Sequence, residues 1–250
     1  MRGAPDTLYG GEMTNMLKAI SLATAVWLGL PPVPVGAQQP AASAAAKPEV
    51  QTRESQAAMT PAAALERLKA GNVRFVSNTP EKRNWSGKVA ATASGQFPFA
   101  AILGCMDSRV PVEVVFDQGI GDVFTVRVAG NVVNEDELGS LEYAVKVGTK
   151  LIVVLGHTSC GAVKGAIDDV KFGNLTGLLT KIKPAIAAAS CSSSKDDACV
   201  TKVAEQNVRQ SMKEIREKST FLAQNFSEGK VELVGAMYDV ATGKVTFLKN

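Results

Sequence analysis

Apolar residues recur along this chain in two rhythms. Short unbroken runs have the length and β-branched content of buried strands: Phe99-Ala100-Ala101-Ile102-Leu103, Val123-Phe124-Thr125-Val126 and Leu151-Ile152-Val153-Val154-Leu155. The pattern predicts strands over 98–104, 123–128 and 151–155, then 231–238 and 245–248 joined by a turn at Thr242-Gly243. Leu151 to Leu155 is apolar throughout, which predicts burial on both faces of a sheet. Between these runs, apolar spacings of three and four predict helices. The first covers 61–77, with Thr60 as N-cap, Pro61 at the first helical position, and a face of Ala64, Leu65, Leu68, Val73 and Phe75 interrupted at Gly71. Further helices are predicted at 110–116, 135–147, 160–170, 175–189 and 200–224, and residues 76–96 read as polar, turn-rich loop. Strands alternating with helices predict an α/β fold, with a mostly parallel central β-sheet flanked by helices.

The first fifty residues follow neither rhythm. Lys18 precedes an apolar stretch from Ala19 to Leu30, then a proline-rich segment, and Val35 and Ala37 suit a signal-peptidase cut after Ala37. Residues 1–37 are therefore expected to be a signal peptide. Met13 is a candidate true start, because the residues before it lack signal character. The apolar stretch is short for a bilayer span, so no stable membrane anchor is expected after cleavage; an uncleaved anchor is the other reading. Residues 38–59, rich in Ala, Pro, Ser and Gln, are expected to be a flexible linker, and 60–250 one well-packed domain. The expected location is periplasmic or secreted. A net charge of only +3, with no basic block and few aromatics, argues against nucleic-acid binding.

Candidate chemistry concentrates at two strand ends. The only histidine of the chain lies in Gly156-His157-Thr158-Ser159-Cys160-Gly161, and a second segment, Cys105-Met106-Asp107-Ser108-Arg109, follows the first strand. Two thiols and one imidazole there make a three-ligand zinc site with one position open, and an open position can hold an activated water. His157 and Cys160 are three residues apart, so a turn leading into a helix can aim both at one ion. Asp107 can take the fourth position or leave it to water. Arg109 can decide between these, because a bidentate pair would hold the carboxylate and keep it ionised. Taken singly, each residue has a plainer reading: a core cysteine, a surface ion pair, a structural histidine. Their coincidence at two strand ends is what points to a metal. Cys191 and Cys199 flank a polar segment; in an oxidising compartment they can close a disulfide, and two separate thiols are the alternative.

The segments Cys105-Met106-Asp107-Ser108-Arg109-Val110-Pro111 and Gly156-His157-Thr158-Ser159-Cys160-Gly161-Ala162-Val163 resemble the signature motifs of the β-class carbonic anhydrases. The resemblance runs from about Thr60 to the C-terminus. It includes Phe116-Asp117-Gln118-Gly119, Arg127-Val128-Ala129-Gly130-Asn131 and Gly139-Ser140-Leu141-Glu142-Tyr143-Ala144. It implies that family's fold, with helix 61–77 as an N-terminal arm reaching to a partner. It implies reversible hydration of CO2 to bicarbonate and a proton by a zinc-bound hydroxide. Cys105, His157 and Cys160 would hold the zinc, with Asp107 and Arg109 as the catalytic dyad. Gln96, Phe124, Ala129, Tyr143 and Gly161 match substrate-binding positions, and Ala129 is smaller than the residue often found there. The resemblance further implies a homodimer or homotetramer with active sites at the subunit interface. With the sole histidine used as a ligand, the proton would leave through water, carboxylates, Tyr143 or external buffer. Some members close the site by placing the aspartate on zinc, under control of a second bicarbonate. They carry a tryptophan three residues before the first cysteine, where this chain has Ile102, which argues against that control. The competing functions are a zinc hydrolase of a CO2-like molecule such as carbon disulfide, and a non-catalytic zinc protein.

Overall fold

The computed structural model describes residues 50–249. The expected signal peptide, and residues 38–49 of the expected linker, lie outside the described residues. The remainder of that linker segment is not loop. Helix α1 (Arg53–Ala58) starts with a reciprocal cap between Thr52 and Ser55, and buried Gln56 donates to the Pro98 carbonyl at 2.8 Å. The next helix, α2 (Pro61–Val76), is capped by the Thr60 hydroxyl, which accepts from the Ala63 N–H. It runs straight through Gly71. A Cβ there would come within 1.8 Å of the Phe116 carbonyl oxygen, so this glycine serves a close helix–loop approach rather than a break.

The polar stretch 76–96 contains an unanticipated helix, α3 (Trp85–Thr92), capped by Asn84. Its one buried residue is Lys88, so it carries no apolar stripe for a pattern to reveal. Then follow β1 (Ala100–Gly104), α4 (Val112–Val115), β2 (Val123–Arg127), a 3₁₀ turn (Ala129–Asn131), α5 (Glu135–Lys146) and β3 (Leu151–His157). The chain continues through α6 (Gly161–Ile167), α7 (Leu175–Thr180), α8 (Lys183–Ala189), α9 (Asp197–Lys218), α10 (Thr220–Ser227), β4 (Glu232–Tyr238) and β5 (Val245–Phe247). Two expected helices are each divided. Pro184, in the first turn of α8, has no N–H to extend the preceding helix, so 175–189 splits. Ser219 adopts an extended conformation and its hydroxyl accepts from the Leu222 N–H, which separates α9 from α10. Among the described residues no helix is long and apolar enough to cross a membrane.

The strands form one sheet in the order β2-β1-β3-β4-β5, parallel except for the final antiparallel hairpin. β1 and β3 are buried along their whole length, as their unbroken apolarity predicts. Side chains alternate between two cores. Ala100, Ile102, Leu151, Val153 and Leu155 face α2 and α4, packing with Leu68, Val112 and Phe116. Ala101, Leu103, Ile152 and Val154 face α5, α9 and α10, packing with Leu141, Val208, Ile215 and Leu222. A third cluster, from α6 to the first half of α9, includes Cys105 and Cys160. The segment after α4 is anchored by a buried ion cluster. Asp117 receives Arg74 Nε at 2.5 Å, Arg83 Nη1, and the Glu81 N–H at 3.2 Å.

Candidate metal centre and active site

β1 leads to β2 on one side of the sheet, while β3 leads to β4 on the other. Between β1 and β3 the connections diverge and leave a crevice at the carboxyl ends, where ligands bind in open α/β sheets. Cys105 follows β1 directly. His157 is the last residue of β3 itself, rather than part of the turn expected from the sequence. Ser159, at φ +53°, reverses the chain so that Cys160, at the N-cap of α6, returns beside His157. The ligand atoms of Cys105, His157 and Cys160 lie within 4.8 Å of one another, and all three residues are buried.

The chemistry of these atoms fits a metal. His157 Nδ1 is 2.8 Å from the Thr158 carbonyl oxygen, which can only accept, so Nδ1 carries the proton and Nε2 holds the lone pair. Nε2 is buried without a hydrogen-bond partner; among the described residues only Asn131 Nδ2 shares that condition. The two thiols lie side by side in this cluster. The neighbouring Cys160 thiol draws Cys105 well below the usual thiol range, against burial and with help from the Gly130 N–H. The Cys105 sulfur and burial push Cys160 up. Two thiolates would neutralise a dication, and two thiolates with one imidazole leave a fourth tetrahedral position free.

Beside this cluster Asp107 is locked by Arg109. The Arg109 N–H and Nε donate to Asp107 Oδ1 at 2.9 Å each, and Nη2 donates to Oδ2 at 2.8 Å. Nη2 also reaches the Ser159 carbonyl at 3.2 Å, so one guanidinium ties together the loops carrying Cys105 and Cys160. The Arg109 side-chain hydrogen bonds hold the Asp107 carboxyl down at about 2, against a smaller push from burial. Asp107 Oδ2 lies 3.9 Å from His157 Nε2, so the carboxylate borders the space that a metal would occupy.

The other expected site residues divide into two groups. Ala129 opens the 3₁₀ turn whose next residue, Gly130, donates its N–H to Cys105 Sγ at 3.3 Å. Gly161 follows Cys160, with open space where its side chain would be. Both adjoin the cluster. Gln96, Phe124 and Tyr143 do not. Gln96 is exposed and precedes β1, at the opposite end of the strand from Cys105. The five residues of β1, at about 3.3 Å each, separate the two ends of the strand by about 16 Å. Phe124 pairs in register with Ala101, low on β1, and its ring meets exposed Tyr143 edge-on at 5.9 Å. Within one chain these three lie away from the metal cluster, Phe124 on the edge strand β2 and Tyr143 against it.

Some contributing residues escaped sequence reasoning. Arg127, at the end of β2, donates to the carbonyls of Cys105 at 3.0 Å and Asp107 at 2.6 Å, clasping the loop that bears ligand and carboxylate. Asn207 and Ser211 on α9 donate to the carbonyls of Gly130 and Asn131. Their signal was present: polar residues four apart on a helix face otherwise lined by Val203, Ala204, Val208 and Met212. Cys191 and Cys199 form the expected disulfide.

The family profile for carbonic anhydrases matches residues 100–245. Carbonic anhydrase 2 of Mycobacterium tuberculosis is 39% identical over 188 residues, covering 74% of this chain and 91% of that protein. The carbonic anhydrase of Mycolicibacterium smegmatis is 38% identical over 195 residues, covering 74% and 92%. Among solved structures, a tetrameric β-carbonic anhydrase from the ascomycete Sordaria macrospora superposes with a TM-score of 0.60 at 26% identity, covering 71% of this chain and 96% of that one. A Coccomyxa β-carbonic anhydrase in complex with acetazolamide gives 0.59 at 28% identity, covering 65% and 77%. This chain belongs to the β-class carbonic anhydrases.

Proposed function

We propose that this protein is an exported, oligomeric zinc enzyme that hydrates carbon dioxide reversibly to bicarbonate and a proton. The observation that carries the reading is the buried Cys105-His157-Cys160 cluster with an ionised carboxylate, Asp107, fixed at its border. Zinc bound there would lower the pKa of a coordinated water to about 7 and so supply a nucleophile at neutral pH. The remaining work falls to the chain's own residues. Asp107, ionised and fixed in place by Arg109, is an acceptor that can orient the reacting water through its proton. Arg109 keeps that carboxylate turned from the metal position. The chain's one histidine serves as a ligand, so the proton leaves by water, carboxylate or buffer.

A second copy completes the site. β2 is an edge strand, with only β1 beside it, and its residues are half-buried. Exposed Trp85, Val114, Ile120 and Tyr143 lie near this edge. Two copies meeting there about a two-fold axis run antiparallel, so the start of one sheet faces the carboxyl end of the other. Gln96, Phe124 and Tyr143 of one chain then approach Cys105 and Asp107 of the next. The tetrameric state of the Sordaria relative supports an oligomer. Export is supported by the Cys191–Cys199 disulfide, a bond retained in oxidising compartments, and by the leader-like composition of residues 1–37.

Stopped-flow CO2 hydration by zinc-loaded protein, from pH 7 to 9, tests the activity. Rapid hydration is expected. No hydration at stoichiometric zinc would overturn the assignment and turn attention to carbon disulfide.

A further inference from the structure

We propose that Asn207 and Ser211 of α9 are positioning residues for the metal centre, holding the Ala129–Asn131 turn so that the Gly130 N–H stays aimed at the Cys105 sulfur. Asn207 Nδ2 donates to the Gly130 carbonyl at 2.6 Å, and Ser211 Oγ donates to the Asn131 carbonyl at 2.9 Å. Both side chains are almost fully buried, at 1% and 3% exposure. Two polar side chains one helical turn apart, on a face otherwise apolar, need a reason, because burial of a polar group is unfavourable unless it is bonded. The turn they grip is one that needs holding. Gly130 has φ +68° and Asn131, not a glycine, has φ +42°, so consecutive residues are left-handed. On its other side Gly130 is hemmed in. A Cβ at that position would come within 2.7 Å of Ile182 Cδ1 and 3.2 Å of Ala162 Cβ. The turn is thus clamped between α6 and Ile182 on one side and two α9 donors on the other.

Its product is the 3.3 Å hydrogen bond from the Gly130 N–H to Cys105 Sγ. A donor to a ligating thiolate fixes the sulfur lone pair and takes up part of its charge. Outer-shell partners of this kind alter metal affinity about 10–100-fold. A helix residue 77 positions from the turn it holds therefore governs the first ligand of the site. The inference rests on the zinc reading above.

The test uses full-length holoprotein carrying Asn207→Leu, with Ser211→Ala as the milder second variant should the first not fold. Ile215→Ala, on the same helix but packed in the α5–α10 core, is the control for simple destabilisation. Zinc release to a chromogenic chelator and the thiolate-to-metal absorption band of the cobalt(II)-substituted protein are the readouts. The expected result is zinc release accelerated about 10-fold or more, with a displaced cobalt band, in Asn207→Leu and to a lesser degree in Ser211→Ala. Ile215→Ala should leave the band in place at comparable loss of thermal stability. Variants with wild-type release and an unmoved band would overturn the proposal. Wild-type protein that takes up neither metal would instead overturn the zinc reading beneath it.

Discussion

Replacing Arg109 with alanine separates charge from position at the active site. The change removes the two side-chain bonds to Asp107 and the link to the Ser159 carbonyl, and leaves the backbone N–H bond in place. Without the guanidinium the Asp107 carboxyl returns from about 2 toward its ordinary 3.8, so it stays ionised at pH 7. Activity is therefore lost through orientation, not protonation. Two charge-assisted bonds at about 1.5 kcal/mol each give about 3 kcal/mol, or about 150-fold in rate, the low figure applying because the arginine is half exposed. The freed carboxylate, 3.9 Å from His157 Nε2, lies within reach of the metal position, so Arg109→Ala should hold zinc as tightly as wild type or more so. Arg109→Lys, a point charge without the fork, should recover only part of the rate. Stopped-flow hydration near pH 7.5 alongside zinc content is the assay. An Arg109→Ala rate within a factor of about 5 of wild type, the scatter of exposed ion pairs, would refute the argument. So would a loss of activity that only tracks loss of zinc.

Three other outcomes are expected. Asp117→Asn leaves Arg83, 8% exposed, and Arg74 facing a neutral amide, and should destabilise the fold by about 3 kcal/mol in urea melts. Burial pushes the Asp117 carboxyl up, but the Arg83, Arg74 and Glu81 N–H bonds outweigh it and leave it below its ordinary value. Its stabilisation is thus full above the unfolded carboxyl value of about 3.9 and lost as pH falls through the folded one, so the variant should show a shallower acid decline; an unchanged slope would count against this. Reducing the Cys191–Cys199 disulfide, which links residues 8 apart, should lower stability by about 2–3 kcal/mol on the chain-entropy account, with no effect of reductant on Cys191→Ser/Cys199→Ser protein. Finally, Gln96→Ala and Asp107→Asn homo-oligomers should each be impaired, yet unfolding and refolding them together should restore activity, because the hybrid dimer contains one intact shared site. No gain on mixing would mean that each site is built from one chain.

How far the sequence could be read depended on whether a feature was local. β1 and β3 were plain because a strand buried on both faces has no polar position to obscure it, and their register places Cys105 and His157 at neighbouring carboxyl ends. The Asp107–Arg109 pair was legible because its partners are two residues apart. What escaped depends on distant partners. Gly71 reads as a helix interruption until the Phe116 carbonyl is brought against it. Asn207 and Ser211 read as flaws in an apolar stripe until the 3₁₀ turn reaches them. Helix α3 has almost no buried face, so nothing in its spacing distinguishes it from loop.

Gln96, Phe124 and Tyr143 belong to a further class, because folding one chain does not bring them to the metal cluster. The placement of Phe124 and Tyr143 at the β2 edge links two facts that are otherwise separate. The edge strand presents unpaired backbone groups and half-exposed apolar side chains, the kind of edge that folded proteins cover or blunt. The metal cluster has ligands and an acceptor but, within one chain, lacks the apolar wall and amide that the family's substrate positions call for. In the proposed dimer, antiparallel apposition of two β2 edges would answer both needs at once, since the residues missing from one site would lie at the far end of its neighbour's edge. Covering the edge and completing the site are then a single event. On this account, a charge placed among the exposed apolar residues beside β2, as in Ile120→Lys, should yield a monomer that is folded, binds zinc and is inactive. A fully active monomer would break the link between assembly and catalysis.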